Sequence, residues 1–279
     1  MCGKMTSLFS SIDLDIISID KKFNNKVQHW LGQFDLVASG RAYTSLKLGD
    51  AFGHPIQLFY SQNKNKARKK ISLTSLFHGD EIASMVALYE LLNEGLLNQN
   101  DDLAISFIPI VNPTGFELNQ RMNKLDENPN RGFDIGETKA SVEGDILLKN
   151  SDLLFDLAKD GFLSLHEDCD VKDGIYVYTY EDDLNAPLGK SFLEINKDIM
   201  LPLNGNIIMN AEKAYKEDLI VDGLVLNEFG DGTYEELLVI NKQTAIAAVT
   251  ETPSHSDVPF ETRVKLNKNY IKAFIDFVS

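Results

Sequence analysis

The chain reads as an α/β protein, a sheet with helices on both faces, and three observations predict it. Short β-rich apolar runs alternate with amphipathic helical stretches along most of the length. Two of those runs, Ile71–Phe77 (ISLTSLF) and Leu103–Val111 (LAISFIPIV), are apolar enough for strands covered on both faces. Ionisable residues then recur where the runs stop, the place where ligands gather in open α/β sheets.

The elements follow in order. Leu36–Leu48 and His54–Tyr60 predict an edge hairpin turning at Gly49-Asp50 and Gly53, and Asn63–Lys70 (NKNKARKK) a solvated loop. After the strand at 71–77, Glu81–Leu97 places Ile82, Met85, Val86, Tyr89 and Leu92 on one helical face. The run at 103–111 closes on Asn112-Pro113-Thr114-Gly115, a strong turn signal. Residues 116–149 lack periodicity and predict a long ordered loop of functional type. A helix over Ser151–Asp160 precedes strands at Phe162–Leu165 and Ile175–Tyr180. Residues 186–199 and 207–217 predict helices, Thr244–Thr250 a buried strand, and Phe260–Val278 a final amphipathic helix. No linker interrupts the series, so a single domain over 1–279 is expected, with 1–70 an N-terminal segment and edge hairpin of unassigned role.

Composition removes several function classes. With 42 Asp+Glu against 27 Lys+Arg, the net charge of −15 repels phosphate backbones and anionic membrane surfaces, so neither nucleic acid nor membrane is an expected partner. A chain of 279 residues buries a sufficient core without staples. Cys2 and Cys169 make no disulfide scaffold and no cysteine zinc site. Asp13 and Asp15 occupy the place where a signal peptide needs an apolar core, and no stretch reaches membrane-span length, so a reduced, cytoplasmic location is expected.

The chemistry collects at strand ends. His78-Gly79-Asp80-Glu81 follows the first buried strand, Asn112 and then Arg121 the second, His166-Glu167-Asp168 the third, and Glu251-Thr252-Pro253 the late one. One imidazole at a strand end and one carboxylate at a helix start suit two ligands of a metal site, and His166 holds an equivalent strand-end position. Two histidines and a glutamate leave a coordination position for water, as catalytic rather than structural zinc does. Singly, each residue has a plainer reading: His78 ends a strand, Glu81 favours a helix N-terminus, and Arg121 and Arg131 pair with carboxylates in an acidic chain.

Taken together, the ordered blocks HGDE, NPTGF, RMNKLDENPNRGF, LHED and TETP resemble the zinc metallocarboxypeptidases, the carboxypeptidase A-like enzymes, over residues 78–253. The resemblance implies three αβα layers around a central twisted mixed β-sheet. It also implies one zinc per chain on His78, Glu81 and His166, with Glu251 as general base and Arg121 stabilising the oxyanion. Asn130 and Arg131 would hold the substrate's free carboxylate. Three departures stand out. Asn128 occupies the position where the family has Asp to orient a ligand histidine. Tyr234 is the nearby candidate for a mobile substrate-contacting tyrosine. The tract between the arginine blocks is short, as in smaller bacterial-type members.

The expected substrate is a peptide-like or N-acyl amino-acid molecule with a free carboxylate. A carboxypeptidase is the first reading, because the chain ends soon after Glu251 with no large appended domain expected. An amidoacylase of the succinylglutamate desuccinylase/aspartoacylase type is the alternative, and a non-catalytic binding module on the same fold the second. Glu235 and Glu236 could line a pocket for a basic group or form a solvated pair. Glu167 and Asp168 could support the ligands or be solvated neighbours. Cys169 is expected as a buried inert thiol, His255 as a loop histidine, and His29 and His54 carry no signal.

Overall fold

A computed structural model describes residues 26–97, 99–133, 139–181, 185–203, 207–209, 218–226, 230–255 and 257–279. Among them the strands are β1 (Tyr43–Ala51), β2 (His54–Ser61), β3 (Lys69–Ser75), β4 (Leu103–Ile108), β5 (Gly161–Asp168), β6 (Tyr176–Tyr180), β7 (Ile207–Met209), β8 (Asp218–Val221), β9 (Leu224–Leu226) and β10 (Ala247–Pro253). The helices are α1 (Val27–Ser39), α2 (Ile82–Glu94), α3 (Pro113–Leu118), α4 (Val142–Lys149), α5 (Ser151–Ala158), α6 (Pro187–Asn196), α7 (Tyr234–Ile240) and α8 (Phe260–Val278).

The strands form one mixed sheet in the order β1-β2-β4-β3-β5-β10-β6-β9-β8-β7. Its centre, β4-β3-β5-β10, is parallel, and β2 and β6 flank that centre antiparallel. Every residue of β4 is buried, which is why its sequence shows no polar alternation. Side chains along β5 point alternately to two cores. Leu163 and Leu165 join α1, α2, α6 and α8 on one face, and Phe162 joins α4, α5 and α7 on the other. These are the three αβα layers expected from the sequence. On α8, Val264, Ile271, Phe274 and Val278 lie on the buried face, with helical spacing.

The structure corrects several element assignments. Leu36–Ser39, expected to open a strand, end α1, whose buried Val27, Trp30, Leu31, Phe34 and Ala38 follow helical periodicity. Lys69 and Lys70 open β3 instead of closing a loop. Asn112 does not end in a simple turn. It caps α3, accepting a hydrogen bond from the Gly115 N–H at 2.8 Å, with Pro113 in the first turn where its missing N–H does no harm. The expected loop at 116–149 contains the end of α3 and all of α4. Of the helix expected at 207–217, residues 207–209 form β7, and 210–217 lie outside the described residues. No helix among the described residues is long and apolar enough to cross a membrane.

Strand order places the chemistry. Because β4, β3, β5 and β10 are neighbours, the segments leaving their C-terminal ends lie side by side, about 4.8 Å per strand step. The close approach of two of these segments depends on glycine. A Cβ on Gly79 would stand 2.0 Å from the Gly115 carbonyl carbon and 2.1 Å from the Phe116 nitrogen, so the loop after β3 seats directly on α3. Gly79→Ala should therefore destabilise the fold by about 3 kcal/mol, measured by urea unfolding; an unchanged midpoint would show that the two backbones separate at little cost.

Candidate metal centre

His78 lies three residues beyond β3, and the chain turns to reach it through Leu76, which has a φ of +54°. A branched residue in the left-handed region is strained, and it persists because the surroundings hold it. Here the Leu76 carbonyl accepts from the Asn112 N–H at 2.8 Å, and the Leu76 side chain is fully buried. Glu81 is the N-cap residue of α2, yet its side chain makes no capping hydrogen bond because it turns toward the histidines. His166 comes from β5, in register with Glu251 of β10.

These residues bring three potential ligands to one buried point, with their ligand atoms within 4.8 Å of one another. Nδ1 of His78 is 2.6 Å from Glu81 Oε1 and 3.1 Å from His166 Nδ1, and His166 Nδ1 is 2.9 Å from Glu81 Oε2. The outer nitrogen of His78 fixes its tautomer. Asn128 Oδ1, which accepts from the Asn130 N–H at 3.0 Å, faces His78 Nε2 at 3.2 Å. Nε2 therefore carries the proton, and Nδ1 of the neutral ring presents a lone pair to the Glu81 carboxylate. His166 Nε2 has Ser164 Oγ at 3.0 Å. Glu81 Oε2 is buried without a hydrogen bond despite its nearness to His166. Two imidazole nitrogens converging on a carboxylate whose buried Oε2 has no hydrogen bond make a donor set that fits a divalent metal held by two imidazoles and one carboxylate.

The electrostatics agree. Burial drives His78 down to about 3, against the pull of Glu81, so its ring is neutral. Burial also opposes charge on His166, but Glu81 and, more weakly, Glu251 and Glu235 outweigh it and raise this ring to about 9. Glu81 itself is held well below the usual carboxylate range: burial raises it, and the two histidines lower it further. The centre is built for positive charge at the point the three residues share.

Around it, Arg121 Nη1 reaches Glu81 Oε1 at 3.3 Å, and the Arg121 carbonyl accepts from Asn112 Nδ2 and from the Gly79 N–H. Burial pushes the Glu251 carboxyl up to about 8; His166 lowers it, and Glu81 and Asp168 raise it. The expected neighbours of the metal are thus brought together. The outer positions differ from expectation. Asn130 is buried with both amide atoms engaged, Nδ2 donating to Glu235 at 3.2 Å and Oδ1 accepting from the Tyr234 N–H at 3.1 Å. Arg131 is half-buried, with Nη1 donating to the Asn130 carbonyl.

Tyr234 is not at the mouth of the site. Its ring is buried among Phe77, Phe133 and Phe162, as the first residue of α7. Glu235 and Glu236 are not a solvated pair: both are buried, and Glu236, which borders a shallow cavity with Phe133 and Ile240, accepts from the Gly230, Asp231 and Gly232 N–H groups. Cys169 is exposed, not buried. Glu167 is buried, and Asp168 accepts from the Tyr176 hydroxyl at 2.7 Å. Neither Ser164 nor Arg263 stands out in the sequence. A period-two argument reaches Ser164, two residues before His166 on the same strand face; no local pattern reaches Arg263, on a distant helix.

Solved structures with this architecture fall in two groups. A candidate metallopeptidase from Shewanella amazonensis aligns with a TM-score of 0.81 at 27% identity, over 91% of this chain and 94% of its own. One from Shewanella denitrificans gives 0.78 at 28%, over 91% and 90%. A metallo-carboxypeptidase from Burkholderia cenocepacia gives 0.64 at 16%, over 90% and 70%, a likeness of fold. No protein-family model matches the chain, and no curated protein does. The two nearer neighbours are described as metallopeptidases, and the fold is that of the carboxypeptidase-like structures that the ordered sequence blocks resemble.

Outer acceptors that orient metal-bound histidines are worth about 10- to 100-fold in affinity. Asn128→Ala should weaken zinc binding by about 10-fold or more, while Asn128→Asp should keep it, both read by competition with a chromogenic chelator. Equal affinities in parent and Ala variant would remove Asn128 from the site.

Proposed function

We propose that this protein is a zinc-dependent metallocarboxypeptidase hydrolysing the C-terminal peptide or amide bond of a peptide-like substrate. The observation that carries the reading is the buried convergence of His78, Glu81 and His166 with Glu251 on the adjoining strand. Metallopeptidase-like neighbours at TM-scores near 0.8 support the same class.

A zinc ion held by His78, Glu81 and His166 would polarise the scissile carbonyl and acidify a water. Glu251 would take the proton from the attacking water and deliver it to the leaving nitrogen. A carboxyl whose proton affinity is raised by burial suits that exchange near neutral pH. Arg121, its side chain partly open to solvent beside Glu81, would hold the oxyanion of the tetrahedral intermediate. Arg131 would bind the substrate's carboxylate through a two-point contact. Asn130, spent on α7, would position Arg131 through the backbone.

Glu251→Gln should abolish turnover, by about 100-fold or more, with zinc stoichiometry unchanged; an active Gln variant would sink the general-base role. Since Glu251 would work deprotonated, kcat/KM should climb with pH along an acidic limb; a rate that falls steadily from acid to neutral pH would contradict this. Arg131→Ala should raise KM for substrates with a free carboxylate and leave carboxamide analogues unaffected. If the parent cleaves both kinds equally, the exopeptidase assignment fails.

A further inference from the structure

Glu81 is the N-cap residue of α2, but its carboxylate is committed to the histidines, so α2 lacks the side-chain cap that would normally satisfy an N–H of its first turn. That acceptor comes from another strand. Oε2 of Glu167 accepts from the Ala83 N–H at 3.1 Å, two residues beyond Glu81. Glu167 directly follows the ligand His166 on β5, and by strand alternation it points to the opposite face, toward α2 and α8.

Glu167 is buried, and its charge is met by an equally buried partner. Arg263, in the first turn of α8, donates from Nε to Oε1 at 2.8 Å and from Nη2 to Oε2 at 2.7 Å. The guanidinium carbon also lies 5.4 Å over the Phe260 ring. This fork holds the carboxylate plane fixed, and so fixes the oxygen that receives the Ala83 N–H. The three groups form a chain from α8 to β5 to the first turn of α2, and its last two members adjoin two of the three ligands.

We propose that the Arg263–Glu167 pair is a positioning clamp for the metal centre, setting the distance between Glu81 on α2 and His166 on β5. It rests on the metal-site reading above. Neither residue touches substrate or metal; both act through the backbone that carries the ligands. Buried ion pairs contribute little net stability compared with apolar replacements of similar size. The pair's consequence is therefore sought in metal affinity.

The test uses the full chain stripped of metal and measures zinc affinity by chelator competition, with folding checked by circular dichroism. Glu167→Leu combined with Arg263→Met removes both charges and the cap together, so no charge is stranded. The folded double variant should bind zinc about 10- to 100-fold more weakly than the parent. Arg263→Lys keeps the charge but loses the fork, and should show a smaller loss; it decides the matter if the double variant does not fold. A folded double variant with parental affinity, or in its place Arg263→Lys with parental affinity, overturns the clamp. A parent that takes up no zinc overturns the metal-site reading itself, a distinct result.

Discussion

The structure turns on one constraint: a carboxylate and two imidazoles are forced together out of water. Removing a charge from water costs several kcal/mol, and it is repaid only by close opposite charge and well-made hydrogen bonds. Glu81 and the Nδ1 atoms of His78 and His166 face one another, with Asn128 and Ser164 at the outward nitrogens. A divalent cation would fit between them, and the parallel strand order β4-β3-β5-β10 is what brings their carriers into line.

Much of the remaining polar structure near the site compensates for that concentration of charge. Glu167 takes over the capping that Glu81 cannot perform, and Arg263 balances Glu167. Asn130 ties the arginine loop to α7, where it meets the buried Glu235 behind His166. Both histidine acceptors are neutral, so ligand orientation here comes from an amide and a hydroxyl, with the nearest outer carboxylate, Glu235, 3.9 Å from His166 Nε2.

The parts legible in sequence share one property: they lie where an apolar run stops. His78, Glu81, His166 and Glu251 stand out because each lies where an apolar run gives way to polar residues, although His166 and Glu251 belong to β5 and β10 themselves and do not follow them, and the ordered blocks supply their company. The α8 boundaries matched, since Phe260–Val278 is long and strongly periodic. Where the signal is weak, the sequence misleads. The apolar positions of α1 have helical spacing, yet Gly32 and scattered polar residues obscure it, so its end reads as a strand. Residues 142–149 form α4 with only a two-turn apolar face. Tyr234 is a candidate only through the family resemblance, and nothing in the sequence says that its ring fills the core beside Phe162. The Glu167–Arg263 pair spans 96 positions, and no local pattern announces a contact at that range.

We propose that His78, Glu81 and His166 hold one divalent metal. Zinc content by mass spectrometry after equilibrium dialysis, for the parent and for Glu81→Ala, tests it most directly. About one zinc per parent chain, lost in a still-folded variant, is the expected result. A parent that takes up none, or a variant that keeps a full equivalent, would contradict it.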